Sequence, residues 1–405
     1  MSQTTSAQTG VRALLTAGNA DFWRLWAVGL AVFVVRWMET VAVGVFVYER
    51  TGSAFLVAAM TMLRLLPMGL LGAFMGAWAE RIERRWSLLG VLLMLGIAAV
   101  TLALLAWTDR LEVWHLAIAS LLNGLGWAAD NPVRRVMIGD AVGPRRMGAA
   151  MALDVGASNA SRMLGPAVAG FLLAYAGIAG AVVLSAGLYM LAFAAAWPVS
   201  YRNGKITATG SVLTQIADGL RLVRANRPLM GTLLVTVIVN LFAFPFTSMI
   251  PVIARDRLGL GPEGVGILAS MDGVGAFLGA LLLAVFVRPA WYGRIYCRGV
   301  FLYMTMLTGF ALLPHPALAG AALILTGMGQ AGFATMQATL VYLASPPEMR
   351  SRILGVLSVC VGSGPLGFIA IGVLADAAGA HWATAATGIA GLASMALTRR
   401  YWRTI

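Results

Sequence analysis

The sequence predicts an all-α membrane protein with twelve transmembrane helices in two six-helix halves. Three observations carry this. Sixty per cent of the residues are hydrophobic and only 11% are charged, with a mean hydropathy of +0.84, whereas a soluble chain carries about a quarter charged residues. The apolar residues fall into runs matching the ~20 that a helix needs to cross a bilayer, and nothing alternates with the period of two of a membrane barrel. The chain also repeats at one offset. GAFMGA from Gly72 and GAFLGA from Gly275, NGLG from Asn123 and TGMG from Thr326, and Pro144 and Pro347 are each 203 positions apart. One match means little in a chain with 47 glycines; three at one offset indicate two halves on one plan.

Residues 1–21 are polar and then weakly amphipathic, with no apolar run before a small-residue cleavage site. No cleaved signal peptide is expected, and the first span is expected to act as the targeting signal. The N-terminal half, 22–199, holds spans 1 to 6 at 22–48, 53–79, 86–108, 113–139, 147–175 and 178–199. Residues 200–228, with Asn203, Gly204, Lys205 and Gly210, read as a cytoplasmic linker. Within it, 212–223 has apolar residues at helical spacing, which suits either a helix on the membrane surface or a plain connector. The C-terminal half, 229–398, holds spans 7 to 12 at 229–251, 263–287, 295–313, 317–344, 353–376 and 382–398, and 399–405 form a tail. Glycine, alanine and serine let these helices pack closely.

The net charge of +13 follows topology rather than a nucleic-acid site. Counted by side, 22 Lys and Arg fall with the termini, Arg134 and Arg135 among them, against four (Arg50, Arg110, Arg255 and Arg257) opposite. The positive-inside rule then places both termini in the cytoplasm, where the basic side can also meet anionic lipid. Cys297 and Cys360 give neither a disulfide framework nor metal spacing, and three histidines make a histidine-rich metal site improbable. There is no GxxxxGK[ST] nucleotide cradle and no nucleophile with an aligned base. No cofactor or metal is expected, and the chain does not read as an enzyme.

Charges at membrane depth are costly and therefore informative. Arg36 and Glu39 share a face of span 1. Arg64 lies in span 2, Asp130 in span 4, Asp154 and Arg162 in span 5, and Asp272 in span 8. Spans 3, 6 and 12 carry no internal charge, and span 9 only Arg298 at its edge. Every third helix is thus expected to face lipid while the others line a polar interior. Candidate proton-coupling carboxylates are Glu39, Asp130, Asp154 and Asp272, with Glu39 leading. Candidate cavity groups are Arg36, Arg64, Asn123, Trp127, Arg162, Gln330 and Gln337. Each has a structural reading beside the functional one. Glu39 can form a permanent pair with Arg36, and Asp130 can pair with Arg134 at i+4. Asp154 can lie close enough to the cytoplasm to be hydrated, Asp272 can cap a neighbouring helix, and the glutamines can bridge helices.

Over 22–400 the chain resembles a transporter of the major facilitator superfamily. The turn after span 2 carries the first resemblance: Gly76, Ala77, Trp78, Ala79, Glu80, Arg81, Ile82, Glu83, Arg84, Arg85. Glu80 stands where the superfamily has aspartate and keeps the carboxylate; Glu83 replaces a glycine. The resemblance implies a gating turn that latches the halves, with Glu80, Arg81, Arg84 and Arg85 making charge-assisted contacts that small movements break. In span 5, Gly156, Gly165, Pro166 and Gly170 resemble a motif that accompanies export. Pro166 cannot donate to the carbonyl of Arg162, so this helix can bend, and Gly364-Pro365 give span 11 a corresponding kink. VYERTGSAFLV from Val47 and PPEMRSRILG from Pro346 resemble the branch of macrolide-efflux and enterobactin-exporter-like proteins. The resemblance implies proton-driven export of a small amphipathic molecule, drug-like or siderophore, from the bacterial inner membrane. Its expected partners are the small-molecule substrate, protons and membrane lipid, with no nucleic acid and function as a monomer. An importer or lipid flippase on the same fold is the alternative. A non-transporting receptor or scaffold is a third, disfavoured by the intramembrane charges and by the lack of a sizeable soluble domain.

Overall fold

The computed structural model describes residues 19–79, 83–143, 146–201, 220–224, 226–346, 349–403 and 405, which contain no strand. Helix α1 (Ala20–Thr51) is capped by Asn19, whose side chain accepts from the Phe22 N–H, and it ends at Gly52 in the left-handed conformation. It is followed by α2 (Ala54–Ala79), α3 (Arg84–Trp107) and α4 (Val113–Val142). Helix α5 (Met147–Ala196) has 50 residues. Straight, it would run ~75 Å, more than twice the ~30 Å hydrocarbon core. It is broken at Gly177 (φ 60°, ψ −165°), a backbone conformation open to glycine and not to L-side chains. The break falls between the positions expected for spans 5 and 6.

The position expected for span 7 is filled by α6 (Arg227–Ile238), a π-helical turn (Val239–Ala243), a 3-10 turn (Phe244–Ser248) and α7 (Ile250–Asp256). Then come α8 (Pro262–Phe286), α9 (Tyr292–Leu312) and α10 (Pro316–Ala344). The position of span 11 holds two helices, α11 (Arg350–Val361) and α12 (Gly364–Ala378), parted at Gly362-Ser363. The chain closes with α13 (Ala380–Leu397) and the single turn α14 (Arg399–Trp402). Among the described residues, eight helical segments are long and apolar enough to cross a membrane: α1, α3, α5, Arg227–Ser248, α8, Pro289–Leu312, α10 and Gly355–Ala378. Large side chains such as Leu93, Ile97, Met190, Leu281, Val285 and Ile389 point outward, as expected where the solvent is lipid.

The apolar core is continuous at one end of the bundle and divided at the other. On the side away from the termini, one cluster joins Val41, Val45 and Ala169 of the first half to Phe246, Ile250 and Val265 of the second. On the termini-bearing side the halves keep separate cores. One holds Phe22, Leu25, Leu92 and Met137, the other Val223, Leu229, Val341 and Ile353. The halves therefore meet at the far end and part towards the termini.

Polar bridges follow the same line. Tyr48 hydrogen-bonds Asp256, and Arg255 pairs with Glu49. Ser53 Oγ (2.8 Å) and the Phe55 N–H (3.0 Å) both donate to Asp376. Between α5 and α8 the contact is backbone on backbone. A β-carbon on Gly170 would sit 2.6 Å from the Pro262 carbonyl oxygen and 2.9 Å from the Gly266 Cα. At the inner limit of this seam, Arg162 pairs with Asp272.

Candidate functional site

Where the seam stops, a cavity of about 250 Å³ lies between the halves. Its described lining comes from the positions of spans 1, 2, 4, 7, 10 and 11, and none of it from spans 3, 6, 9 or 12. The walls are Arg36, Trp127, Asn240, Gln330 and Gln337, set among Leu65, Met68, Phe244 and Phe333. The π-helical turn at Val239–Ala243 inserts an extra residue per turn just where Asn240 and Phe244 meet the cavity. Asn240 donates to the Thr236 carbonyl (2.9 Å) and Gln337 Nε2 to Thr236 Oγ1 (2.8 Å). The Arg36 guanidinium lies over the Trp127 ring, 3.6 Å from its centroid, and Phe33 meets Trp127 edge-on.

Glu39 does not pair with Arg36. Three residues apart on a helix still leaves ~60° between side-chain directions. Arg36 turns to the cavity, while Glu39, 5% exposed, turns into the first half. Its partners there are Arg64 Nη2 (3.4 Å) and Asn123 Nδ2 (3.3 Å). Arg64 also donates to the Arg36 carbonyl and to Thr40 Oγ1, both at 2.8 Å, and the Tyr189 hydroxyl donates to Asn123 Oδ1 (2.9 Å). Tyr189 and Thr40 were not among the candidates. A tyrosine in an otherwise charge-free span was the available signal for the first.

Of the other carboxylates, Asp130 pairs with Arg134 at i+4 as expected, while Asp154 and Asp272 depart from expectation. Asp154 is not hydrated: it is 1% exposed and accepts from Arg134 Nη1 (2.5 Å) and Arg135 Nε (3.2 Å). Arg134, counted with the topology-setting charges, is fully buried beneath Gly29 and Phe33. Asp130 stands 3.8 Å from Arg134 Nε, and neither of its oxygens has a hydrogen-bond partner among the described residues. Asp272 caps no helix. It binds Arg162 of the opposite half, and Arg162 also donates to Gln330 Oε1. Gln330 and Gln337 do bridge helices, Gln330 through Arg162 and Gln337 through Thr236.

The glycines expected as one motif in span 5 have three environments. Gly156 has nothing within reach of an added β-carbon. Gly165 lies against α1, where an added β-carbon would be 2.8 Å from the Trp37 Cβ. Gly170 lies in the seam between the halves. Pro166 leaves the Arg162 carbonyl without its helical donor, and that oxygen sits 2.5 Å from where a Gly273 β-carbon would be. The freed acceptor therefore packs on α8 through a close Cα approach.

Of the expected gating turn, Glu80 and Arg81 lie outside the described residues, and Gly76 lies in the backbone of α2. Arg84 reaches Asp140 (3.5 Å) and Tyr201, and Arg85 donates to the Trp197 carbonyl (2.8 Å). Tyr201 donates to Asp140 (2.5 Å). Burial, and then the hydrogen bond to Asp140, push its hydroxyl above the usual tyrosine range, so it stays a donor at neutral pH.

A helical membrane bundle whose polar cavity lies between two halves, closed on one side, has the architecture of a secondary transporter. Residues 16–402 match the family of transmembrane secretion effectors, and the chain belongs to this family of the major facilitator superfamily. Macrolide efflux protein A of Streptococcus pyogenes is 22% identical over 89% of this chain and 91% of its own length. The multidrug efflux pump Tap of Mycolicibacterium fortuitum is 27% identical over 91% of this chain and 89% of its own. The staphyloferrin A transporter of Staphylococcus aureus is 21% identical over 86% and 88%. Among solved structures, a bacterial homologue of the human lysosomal transporter Spinster, inward-facing and unoccupied, superposes with a TM-score of 0.74 at 16% identity, covering 95% of this chain and 96% of that one. The nucleoside transporter NupG gives 0.75 at 12%, covering 93% and 99%. These likenesses show the fold. The chain is a multi-pass membrane transporter of a small molecule.

Proposed function

We propose that this chain exports a small amphipathic molecule, drug-like or siderophore, across the bacterial inner membrane by proton antiport. It does so as a monomer with twelve spans in two halves and both termini in the cytoplasm. The observation that carries the reading is the cavity: polar groups from both halves face one space that is shut on the side away from the termini. If the termini are cytoplasmic, this conformation is open to the cytoplasm, where an exporter loads. Relatives named for the efflux of macrolides and other drugs, and for staphyloferrin A, support the direction and the kind of cargo.

Coupling then runs through Glu39. It is a carboxylate at membrane depth, held by one guanidinium and one amide. Desolvation favours its protonated form, and Arg64 favours the charged one. A motion that draws α1 from α2 separates Glu39 from Arg64 and promotes proton uptake; their return promotes release. Arg64, not Arg36, is the counter-charge. The gating turn, including Glu80 and Arg81, holds the opposite conformation.

The test has two stages. Extracellular metabolites are first compared with and without the protein to find the cargo. The purified chain is then reconstituted in vesicles under an imposed pH difference. Cargo driven against its gradient only when protons run the other way supports antiport. Accumulation independent of the pH difference, or import of the same cargo, removes the reading.

A further inference from the structure

The cavity wall carries one uncompensated charge. Arg36 is the one ionisable side chain among its described lining residues, and none of the described carboxylates forms an ion pair with it. The carboxylates that could neutralise it are engaged elsewhere: Glu39 with Arg64 and Asn123, Asp272 with Arg162. Arg64 donates to the backbone carbonyl of Arg36 itself, so a second cation stands behind the first. A cation at this depth without a counter-ion is costly, and its retention calls for a partner that the chain does not supply.

The way Arg36 is held indicates what that partner is. Its guanidinium is stacked on Trp127. Stacking occupies the face of the plane and leaves the edge, a rigid fork of N–H donors matched to a carboxylate's two oxygens. The cavity amides divide: the Gln330 oxygen already accepts from Arg162, which leaves its NH₂ group to face a ligand, while Asn240 and Gln337 each spend an N–H on Thr236 and keep their oxygens as acceptors. The same lining includes Phe244, Phe333, Leu65 and Met68, an apolar surface for rings.

We infer that the cargo is an amphiphile bearing an anionic group, a carboxylate or phenolate, on an apolar ring-containing body, and that Arg36 stacked on Trp127 receives the anion. A protonated amine would meet the Arg36 guanidinium with no carboxylate among the described lining residues. This rests on the export reading and narrows it.

The experiment uses the purified full-length chain at pH 7.4 and three ligands of one shape: naphthalene-2-carboxylate, naphthalene-2-carboxamide and 2-naphthylmethylammonium. Binding is measured by titration and by the shift in thermal unfolding midpoint. The carboxylate is expected to bind about tenfold or more tightly than the carboxamide, as charge-assisted hydrogen bonds allow, and the ammonium more weakly than either. Arg36→Gln should bring carboxylate and carboxamide to equal affinity. Arg36→Lys, which keeps the charge and loses the fork, should retain the order with a smaller ratio. The order in the wild-type chain is decisive even if a variant fails to fold. Ammonium binding as tight as the carboxylate's, no carboxylate binding, or a full carboxylate advantage in Arg36→Gln would each overturn the proposal. The export reading stands or falls separately: a chain that prefers the carboxylate but moves no cargo in vesicles loses export and keeps the anion site.

Discussion

If the halves separate at their closed end during transport, Gly170→Val should shift the conformational equilibrium without unfolding the protein. In the closed seam a β-carbon at this position lies 2.6 Å from the Pro262 carbonyl oxygen, 2.9 Å from the Gly266 Cα and 3.1 Å from the Gly266 nitrogen. All three are backbone atoms, so no rotamer change relieves the clash. Overpacking of this kind costs about 1–3 kcal/mol. Here it falls only on the conformation in which α5 and α8 touch, so the ratio of closed to separated forms should drop about 5- to 150-fold. Gly165→Val is the control. Its β-carbon meets the Trp37 Cβ (2.8 Å) and the Met38 nitrogen (3.0 Å), both in the same half, so its penalty applies to every conformation. The assay is cross-linking of cysteines placed at Ser53 and Asp376, which bridge the closed end, in a background without Cys297 and Cys360. Gly170→Val should lower the cross-linking rate at least about fivefold with little change in unfolding temperature. Gly165→Val should lower the unfolding temperature and leave the rate alone. A Gly170→Val protein that cross-links at the control rate but unfolds early would mean the α5–α8 seam never opens, and the reasoning fails.

Three further outcomes are expected. Arg64→Gln leaves Glu39 buried beside a single amide and should cost about 3–5 kcal/mol, most of it recovered in the Glu39→Gln/Arg64→Gln double variant; additive losses in thermal unfolding would show that the pair is not coupled. Glu39→Gln alone should fold yet no longer concentrate cargo under an imposed pH difference, and a folded variant that still does so excludes Glu39 as the coupling group. Impermeant thiol reagents applied outside cells should modify a cysteine at Arg110 and not one at Arg84; the reverse pattern would invert the topology.

Much of the architecture was legible because the bilayer enforces it. Apolar runs marked the helices, and a run of 50 residues too long for one crossing, divided as spans 147–175 and 178–199, marked where one continuous helix had to break. The absence of internal charge from spans 3, 6 and 12, and its confinement to the edge of span 9, separated them from the helices that line the cavity. Side-chain partners were less legible, because helical spacing gives the face of a residue and not the direction of its side chain. That is why Arg36 and Glu39, neighbours on one face, point to different compartments. The Arg162–Asp272 bridge joins residues 110 positions apart, and no periodicity encodes such a pair. Only the tally at membrane depth, Arg36, Arg64 and Arg162 against Glu39, Asp130, Asp154 and Asp272, hinted that most of these groups had partners. Pro166 shows the same division. Its sequence position announces an unbonded Arg162 carbonyl, while only the packing reveals that Gly273 of the other half covers it.

The distribution of those partners bears on mechanism. Glu39 with Arg64, and Asp154 with Arg134 and Arg135, are satisfied inside the first half; rocking of the halves as rigid bodies leaves such pairs intact, and the Glu39–Arg64 pair opens only when α1 also moves against α2. Arg162 is different, because its counter-ion Asp272 sits on the opposite half. Arg36 is different again, since it has no counter-ion among the described residues. One demand of the first half is thus met only from across the seam, and the other faces the cavity without a counter-ion. Separation at the closed end must either carry Arg162 away from Asp272, exposing two charges at membrane depth, or proceed when something else compensates them. A proton on Asp272 neutralises one side of that break, and an anion shared between Arg36 and Arg162 neutralises the other. On this account Asp272→Asn should weaken the closed end even without cargo. Its cross-linking between positions 53 and 376 should be slower than in the parent and should no longer depend on pH. A parent protein whose cross-linking rate is flat across pH 5–8, or an Asp272→Asn protein that keeps the parent's pH dependence, would take Asp272 out of the cycle.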